Sequence, residues 1–180
     1  RNNSLKGALY VLNGLLYHFT AGRASGDIPA GNVHDSVTAY AAGANFDADI
    51  YNETNAIALK VEANPDLAGQ PMILHMSARN YRLYKAVRRA VSPNTISLTE
   101  NPTTLDDFPN ISIKVDQGLG SKRFMFITVP GNLFFTFNED YSNMNIKMIE
   151  QVKGWELNIM FSAGITYGVG RLIFSNNRTD

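Results

Sequence analysis

The sequence contains no cysteine, and this absence excludes a disulfide scaffold, a thiolate zinc site and a cysteine nucleophile together. It also has no net charge, because 16 basic residues balance 16 acidic ones. We therefore expect no whole-protein electrostatic attraction to nucleic acid or to an anionic membrane, and any such contact is local. No apolar run approaches the roughly 20 residues that cross a bilayer, so the sequence predicts no membrane partner.

Catalytic motifs are also scarce. The three histidines, His18, His34 and His75, lack the i, i+4 spacing that places two imidazoles around one metal ion. The segment Gly118–Lys122 lacks the spacing of a phosphate-binding loop, and no Gly-x-Ser-x-Gly elbow marks a serine nucleophile. The sequence therefore predicts no enzyme, no metal and no cofactor, and we expect His75 to be a hydrogen-bonded histidine at the edge of the core.

Three segments have the apolar periodicity of amphipathic helices. They cover Leu5 to Phe19, Asp47 to Asn64, and Ala78 to Val91. The first helix is predicted to stop at Gly22, and the region from Ala21 to Asn45 has no clear periodicity and is predicted as a loop. In the second helix, Ile50 and Ile57 lie on the apolar face, whereas Glu53 is assigned mostly to the polar side.

The remaining apolar segments are rich in β-branched and aromatic residues, which is typical of strands. Short strands are predicted at Met72 to Met76, Thr95 to Thr99, and Asn110 to Asp116. Between residues 123 and 175, longer runs of such residues are separated by Pro, Gly and Asn turns. The sequence therefore predicts an α+β protein whose helices pack on a mostly antiparallel sheet.

The third helix has a basic face, and an acidic segment follows it in the chain. Five basic residues and no acidic one lie within this helix, and the acidic segment runs from Glu100 to Pro109. We predict that the two meet across a boundary between subunits, although a solvated face and a phosphate-tracking face are alternatives. The candidate contact residues are Arg82, Lys85, Arg88, Arg89, Glu100, Asp106 and Asp107.

The order of these elements resembles the C-terminal part of an HK97-fold major capsid protein of tailed bacteriophages or prophages. The matching segments are Leu5–Phe19, Asp47–Asn64, Pro71–Ser77 with Ala78–Val91, Phe108–Asp116, Phe124–Leu133, Trp155–Phe161 and Tyr167–Phe174. The first resembles the end of the spine helix of the peripheral domain. The middle segments resemble the axial domain, in which a short strand ends on a helix cap, and the last two resemble strands that return to the peripheral domain.

The resemblance implies four segments. These are 1–22 as the end of the spine helix, 23–46 as a loop, 47–130 as an axial-type domain and 131–180 as a β-rich return to the peripheral domain. It also implies a fragment that lacks the N-terminal arm, the extended loop and most of the spine helix. The implied function is that of a structural subunit of a phage shell, with copies of itself as partners, non-specific contact with packaged DNA, and a location in the virion after synthesis in the bacterial cytoplasm.

Two other classes of protein stay open from the residues alone. Aromatic content and Asn-x-Ser/Thr matches suit a secreted or surface-located module that binds glycan or peptide. Carboxylate pairs suit an acid–base enzyme centre, because the pKa tuning of such a pair depends on burial. The pairs are Asp47/Asp49, Asp106/Asp107 and Glu139/Asp140. A pocket that gathers His34 or His75 with two carboxylates would favour the enzyme.

Overall fold

In the described part of the chain, the α-helices lie before residue 92 and most of the strands follow them. This computed structural model describes residues 16–40, 46–91, 101–137, 145–151, 154–160 and 163–179. Its α-helices are residues 16–25 (α1), Ser36–Ala39 (α2), Ile50–Glu62 (α3) and Ala78–Val91 (α4). Its strands are Val33–His34 (β1), Met72–Met76 (β2), Ile111–Val115 (β3), Met125–Thr128 (β4), Leu133–Phe137 (β5), Asn145–Gln151 (β6), Gly154–Met160 (β7), Ala163–Tyr167 (β8) and Ile173–Asn176 (β9).

A five-stranded sheet with the order β1-β9-β4-β2-β3 forms the centre of the fold. Strand β4 is antiparallel to β2 and β9, whereas the outer pairs, β1 with β9 and β2 with β3, are parallel. The predicted α+β class is confirmed, but this sheet is mixed rather than mostly antiparallel. The physical reason is that β2 reaches β3 through helix α4, which is the kind of crossover that a parallel pair requires.

Strand β4 is buried on both faces of the sheet. Met125 and Ile127 belong to a core that includes side chains of α3 and α4. Phe126 belongs, with Phe124 just before the strand, to a second core that contains Phe19 of α1. A continuous apolar run is typical of a strand that is covered on both sides, and here helices cover it from two directions.

Helix α4 begins where its sequence predicts a cap. Ser77 Oγ accepts a hydrogen bond from the backbone N–H of Asn80 at 3.2 Å, which satisfies one of the unpaired donors at the helix start. The same hydroxyl donates to the carbonyl oxygen of Lys122 at 2.9 Å. The predicted strand Met72–Met76 and the helix that ends at Val91 are confirmed.

Helix α1 continues past Gly22 to residue 25, so the prediction of a stop at Gly22 is wrong. The glycine is needed for packing, because a Cβ atom at this position would overlap the hydroxyl oxygen of Tyr167. The predicted loop at 21–45 is also wrong for its described residues, which include β1 and α2. The beginning of the first predicted helix and the predicted strand Thr95–Thr99 lie outside the described residues.

Two antiparallel ribbons, each of two strands, follow β4 in the chain. Strand β5 pairs with β8, from Leu133 opposite Tyr167 to Phe137 opposite Ala163. Strands β6 and β7, which lie between them in the chain, pair with each other. Within the described residues, neither ribbon pairs with a strand of the five-stranded sheet.

The five-stranded sheet combines strands from three of the four segments that the resemblance implies. Strand β1 lies in segment 23–46, strands β2, β3 and β4 lie in segment 47–130, and β9 lies in segment 131–180. The last strand therefore lies directly beside β4 and belongs to the same sheet. The division of the chain into these segments stays a prediction.

We expect Gly22→Ala to lower the free energy of unfolding by about 1–3 kcal/mol, because the added methyl group would push against Tyr167. Urea unfolding followed by circular dichroism measures this change. Gly31→Ala is the matched control, since no atom lies within 4 Å of a Cβ at that position, and its stability should stay close to that of the wild type. Equal stability of Gly22→Ala and the wild type would contradict the packing of α1 against β8.

Candidate functional site

The basic face of α4 binds the acidic segment of the same chain. The Nε atom of Arg88 donates to both carboxylate oxygens of Asp106, at 2.8 and 2.6 Å, and its Nη2 atom lies 2.6 Å from Oδ1. Charge-assisted contacts with two carboxylate oxygens fix geometry as well as distance. For Arg88 and Asp106, the opposite charges that we expected to meet between subunits therefore meet inside one chain.

Two further side chains of α4 hold the same segment. Lys85 Nζ donates to Asn101 Oδ1 at 2.9 Å. The hydroxyl of Tyr81 donates to the carbonyl oxygen of Pro102 at 3.1 Å. Together with the ion pair at Asp106, these contacts attach residues 101–106 to the helix at three points.

Asp107 is bound to α3 instead of α4. It accepts hydrogen bonds from the Tyr51 hydroxyl at 3.3 Å and from Asn55 Nδ2 at 3.0 Å. Arg82 is exposed on α4, and Glu100 lies outside the described residues. A role between subunits stays a prediction for all the candidates, which are Arg82, Lys85, Arg88, Arg89, Glu100, Asp106 and Asp107.

The segment bound to α4 covers the outer edge of β3. The backbone N–H of Leu105 donates to the carbonyl oxygen of Ile111 at 3.0 Å, and that of Ile113 donates to Thr103 at 2.7 Å. Leu105 is itself buried. Covered sheet edges resist pairing with other chains, so the basic face of α4 contributes to protection of this edge.

Glu53 lies inside the protein, whereas its charge predicts a place mostly on the polar side of its helix. Its side chain is fully buried, together with those of Ile50 and Ile57. The helical spacing of Glu53 from Ile50 and Ile57 predicts its burial, because residues three and four positions apart share one face of a helix. The charge of a carboxylate predicts a place on the polar side of the helix, and for Glu53 this prediction is wrong.

The buried carboxylate of Glu53 lies beside a histidine. His34 Nε2 lies 3.2 Å from Glu53 Oε2. Burial raises the pKa of Glu53, because the ionised form is costly away from water, and a positive charge on His34 opposes that rise. The neighbouring side chains of Ser36 and Asn176 and the guanidinium of Arg178 also lower the pKa of Glu53.

His75 forms the second contact between a histidine and a carboxylate. Its Nδ1 atom lies 2.5 Å from Asp116 Oδ2, and its ring stacks on Phe126 with the ring centres 4.5 Å apart. His75 is 3% exposed, so the prediction of a hydrogen-bonded histidine at the core is confirmed. Within the described ranges, no group of three or more His, Asp or Glu side chains is arranged to hold a metal ion.

The carboxylate pairs that suit an acid–base centre divide among separate contacts. Asp47 Oδ2 lies 2.5 Å from Arg79 Nη2, and Asp47 Oδ1 lies 3.6 Å from Arg123 Nε. Asp106 and Asp107 bind different helices. The pair Glu139/Asp140 lies outside the described residues. Asp47, Asp106 and Asp107 therefore contribute to ion pairs and hydrogen bonds that hold the fold together.

Comparisons with known proteins give no family for this chain. A search with protein-family models and a comparison with curated proteins both find no match. In the part of the chain that the structure describes, no helix is long and apolar enough to cross a membrane. The structure establishes the α+β class, and the resemblance to capsid proteins stays an expectation.

We expect a double-mutant cycle with Arg88→Ala and Asp106→Ala to give a coupling of about 1 kcal/mol in the free energy of unfolding. The physical reason is the charge-assisted contact within one chain, so the coupling should not depend on protein concentration. Urea unfolding at several protein concentrations measures this coupling. A cycle between the exposed Arg82 and Asp106 is the control and should give a coupling near zero. A coupling that vanishes on dilution would place the Arg88 contact between subunits.

Proposed function

We propose that the chain is a structural subunit of a phage or prophage shell and works by self-association, without catalysis. The observation that carries this proposal is the pair of ribbons between residues 133 and 167. In the described residues they pair only within themselves. Such an extension is suited to contact another subunit.

The physics of a two-stranded ribbon supports this proposal. An isolated hairpin is marginally stable in water, and each of its strands has one edge of unpaired backbone N–H and C=O groups. By contrast, the chain covers the edge of β3 with its own acidic segment. Further strands or an apolar surface from a second copy would stabilise the ribbon.

The register of the second ribbon places most of its apolar positions on one face. Ile146 is opposite Ile159, and Met148 is opposite Leu157. Because alternate residues of a strand share a face, these four positions lie on one face of the ribbon, and Lys147 belongs to the other. One mainly apolar face is what a ribbon needs to associate with a second copy.

The order of elements supports a shell over other assemblies. Strand β2, the Ser77 cap and helix α4 follow one another as in the strand-to-helix unit that the resemblance describes, and strands β3 and β4 come next. The balanced charge of the chain allows many copies to pack side by side without repulsion. The location in the virion and the contact with packaged DNA belong to the same proposal.

We expect the double variant Met148→Lys with Leu157→Lys to prevent particle formation by the intact gene product, because it places two charges on the apolar face of the ribbon. Electron microscopy and sedimentation velocity measure assembly. Circular dichroism should show that the five-stranded sheet is retained, since the ribbon lies outside it.

The matched control is Asn145→Lys with Asn158→Lys, which adds the same charge at positions on the other face of the ribbon. This variant should assemble. Normal assembly of the first double variant would contradict the role of the apolar face. A wild-type gene product that forms no particles would contradict the shell proposal as a whole.

A further inference from the structure

Residues 30–40, which we call the edge segment, lie along the outer edge of β9. Strand β1 within this segment pairs with β9 over two residues, Val33 opposite Ser175 and His34 opposite Asn176. Ser36 is the one fully buried residue of the segment, and Val37 is 47% exposed. Val33 and Tyr40 are only partly buried against the two cores, so apolar contacts of the segment are limited, and a region of this kind opens at lower cost than the central strands.

Polar contacts from the end of the chain hold the edge segment. The side chain of Asn177 accepts from the backbone N–H of Val37 at 2.9 Å and donates to Asp35 Oδ1 at 2.7 Å. Arg178 donates to both the hydroxyl and the carbonyl oxygen of Ser36, at 3.1 and 3.2 Å. The attachment thus depends on hydrogen bonds and charge.

The contact between His34 and Glu53 joins the edge segment to α3. Glu53 is fully buried, whereas the side chain of His34 is 26% exposed, so the imidazole has access to solvent protons and the carboxylate does not. The other charged or titratable groups around the pair are Asp35 and Tyr40 of the edge segment, Asp49 before α3 and Arg178 after β9. Histidine is the side chain whose charge ordinarily changes between pH 5 and 8.

We propose that the contact between His34 and Glu53 makes the attachment of the edge segment sensitive to pH. Burial raises the pKa of Glu53, so the attached state binds a proton that the detached state releases, and attachment weakens as pH rises through that pKa. Above that pKa, the attached segment covers an ionised carboxylate that is held away from water, which is costly.

Detachment has a structural consequence for the central sheet. It exposes the backbone N–H and C=O groups of β9 that β1 otherwise covers. Exposed edges of this kind pair with strands of other chains. The pH of the surroundings therefore controls whether this edge is accessible, and this inference does not depend on the proposed shell function.

Hydrogen exchange of the intact chain, measured by mass spectrometry at about pH 5.5 and about pH 8.5, tests the proposal. After correction for intrinsic exchange rates, we expect the amides of residues 33–39 to be about tenfold less protected at the higher pH, the factor that one pKa unit gives. Glu53→Gln should remove this difference, because the amide keeps the shape of the side chain without its charge.

His34→Gln is the second variant, so a failure of Glu53→Gln to fold leaves the proposal testable. In a pH series it should move the loss of protection to higher pH, because it removes the group whose positive charge lowers the pKa of Glu53. Asp116→Asn is the matched control, because it alters the other histidine–carboxylate contact and should keep the pH dependence of residues 33–39. Equal protection at both pH values in the wild type would overturn the proposal. A pH dependence that survives in a folded Glu53→Gln, or one that is unchanged in position in His34→Gln, would also overturn it.

Discussion

The burial of β4 on both faces is the constraint on which the rest of the structure depends. Its side chains alternate between two cores, with Ile127 on the side of α3 and α4 and Phe126 on the side of α1. Each large apolar side chain that is removed from water contributes about 1.5–3 kcal/mol, so neither face can be left uncovered. Helices must therefore lie on both sides of the sheet, and this requirement places Phe19 against Phe126, with the ring centres 4.8 Å apart.

Charged side chains help to hold the segments that cover the two edges of this sheet. At the β3 edge, the ion pair between Arg88 and Asp106 holds the segment that covers the strand. At the β9 edge, the contact between His34 and Glu53 helps to hold residues 30–40. Both edges are thus covered by short segments of the same chain, and polar contacts decide how firmly each cover is attached. Among the described residues, the ribbons formed by β5 to β8 pair with no strand of this sheet.

The elements that the sequence predicts correctly are those whose signals are local. Strand β2 is a short apolar run between turn residues, and α4 begins at a serine whose hydroxyl binds a nearby backbone N–H. Two errors arise where the chemistry of a residue disagrees with its position in the fold. Gly22 has the chemistry of a helix stop, yet Tyr167, far along the chain, requires a residue without a side chain there. Glu53 has the chemistry of a surface residue, yet it is buried beside a histidine from another element.

By itself, the sequence determined the α+β class, the strand and cap that begin α4, and the absence of cysteine chemistry. These follow from composition and from spacings of a few residues, which act before distant parts of the chain meet. Only the tertiary structure decided that β2 and β3 are parallel, that Arg88 binds Asp106 of its own chain, and that Glu53 is buried against His34. The physical reason is that pairing and burial depend on which distant segments share one core, and local spacing contains no record of that choice.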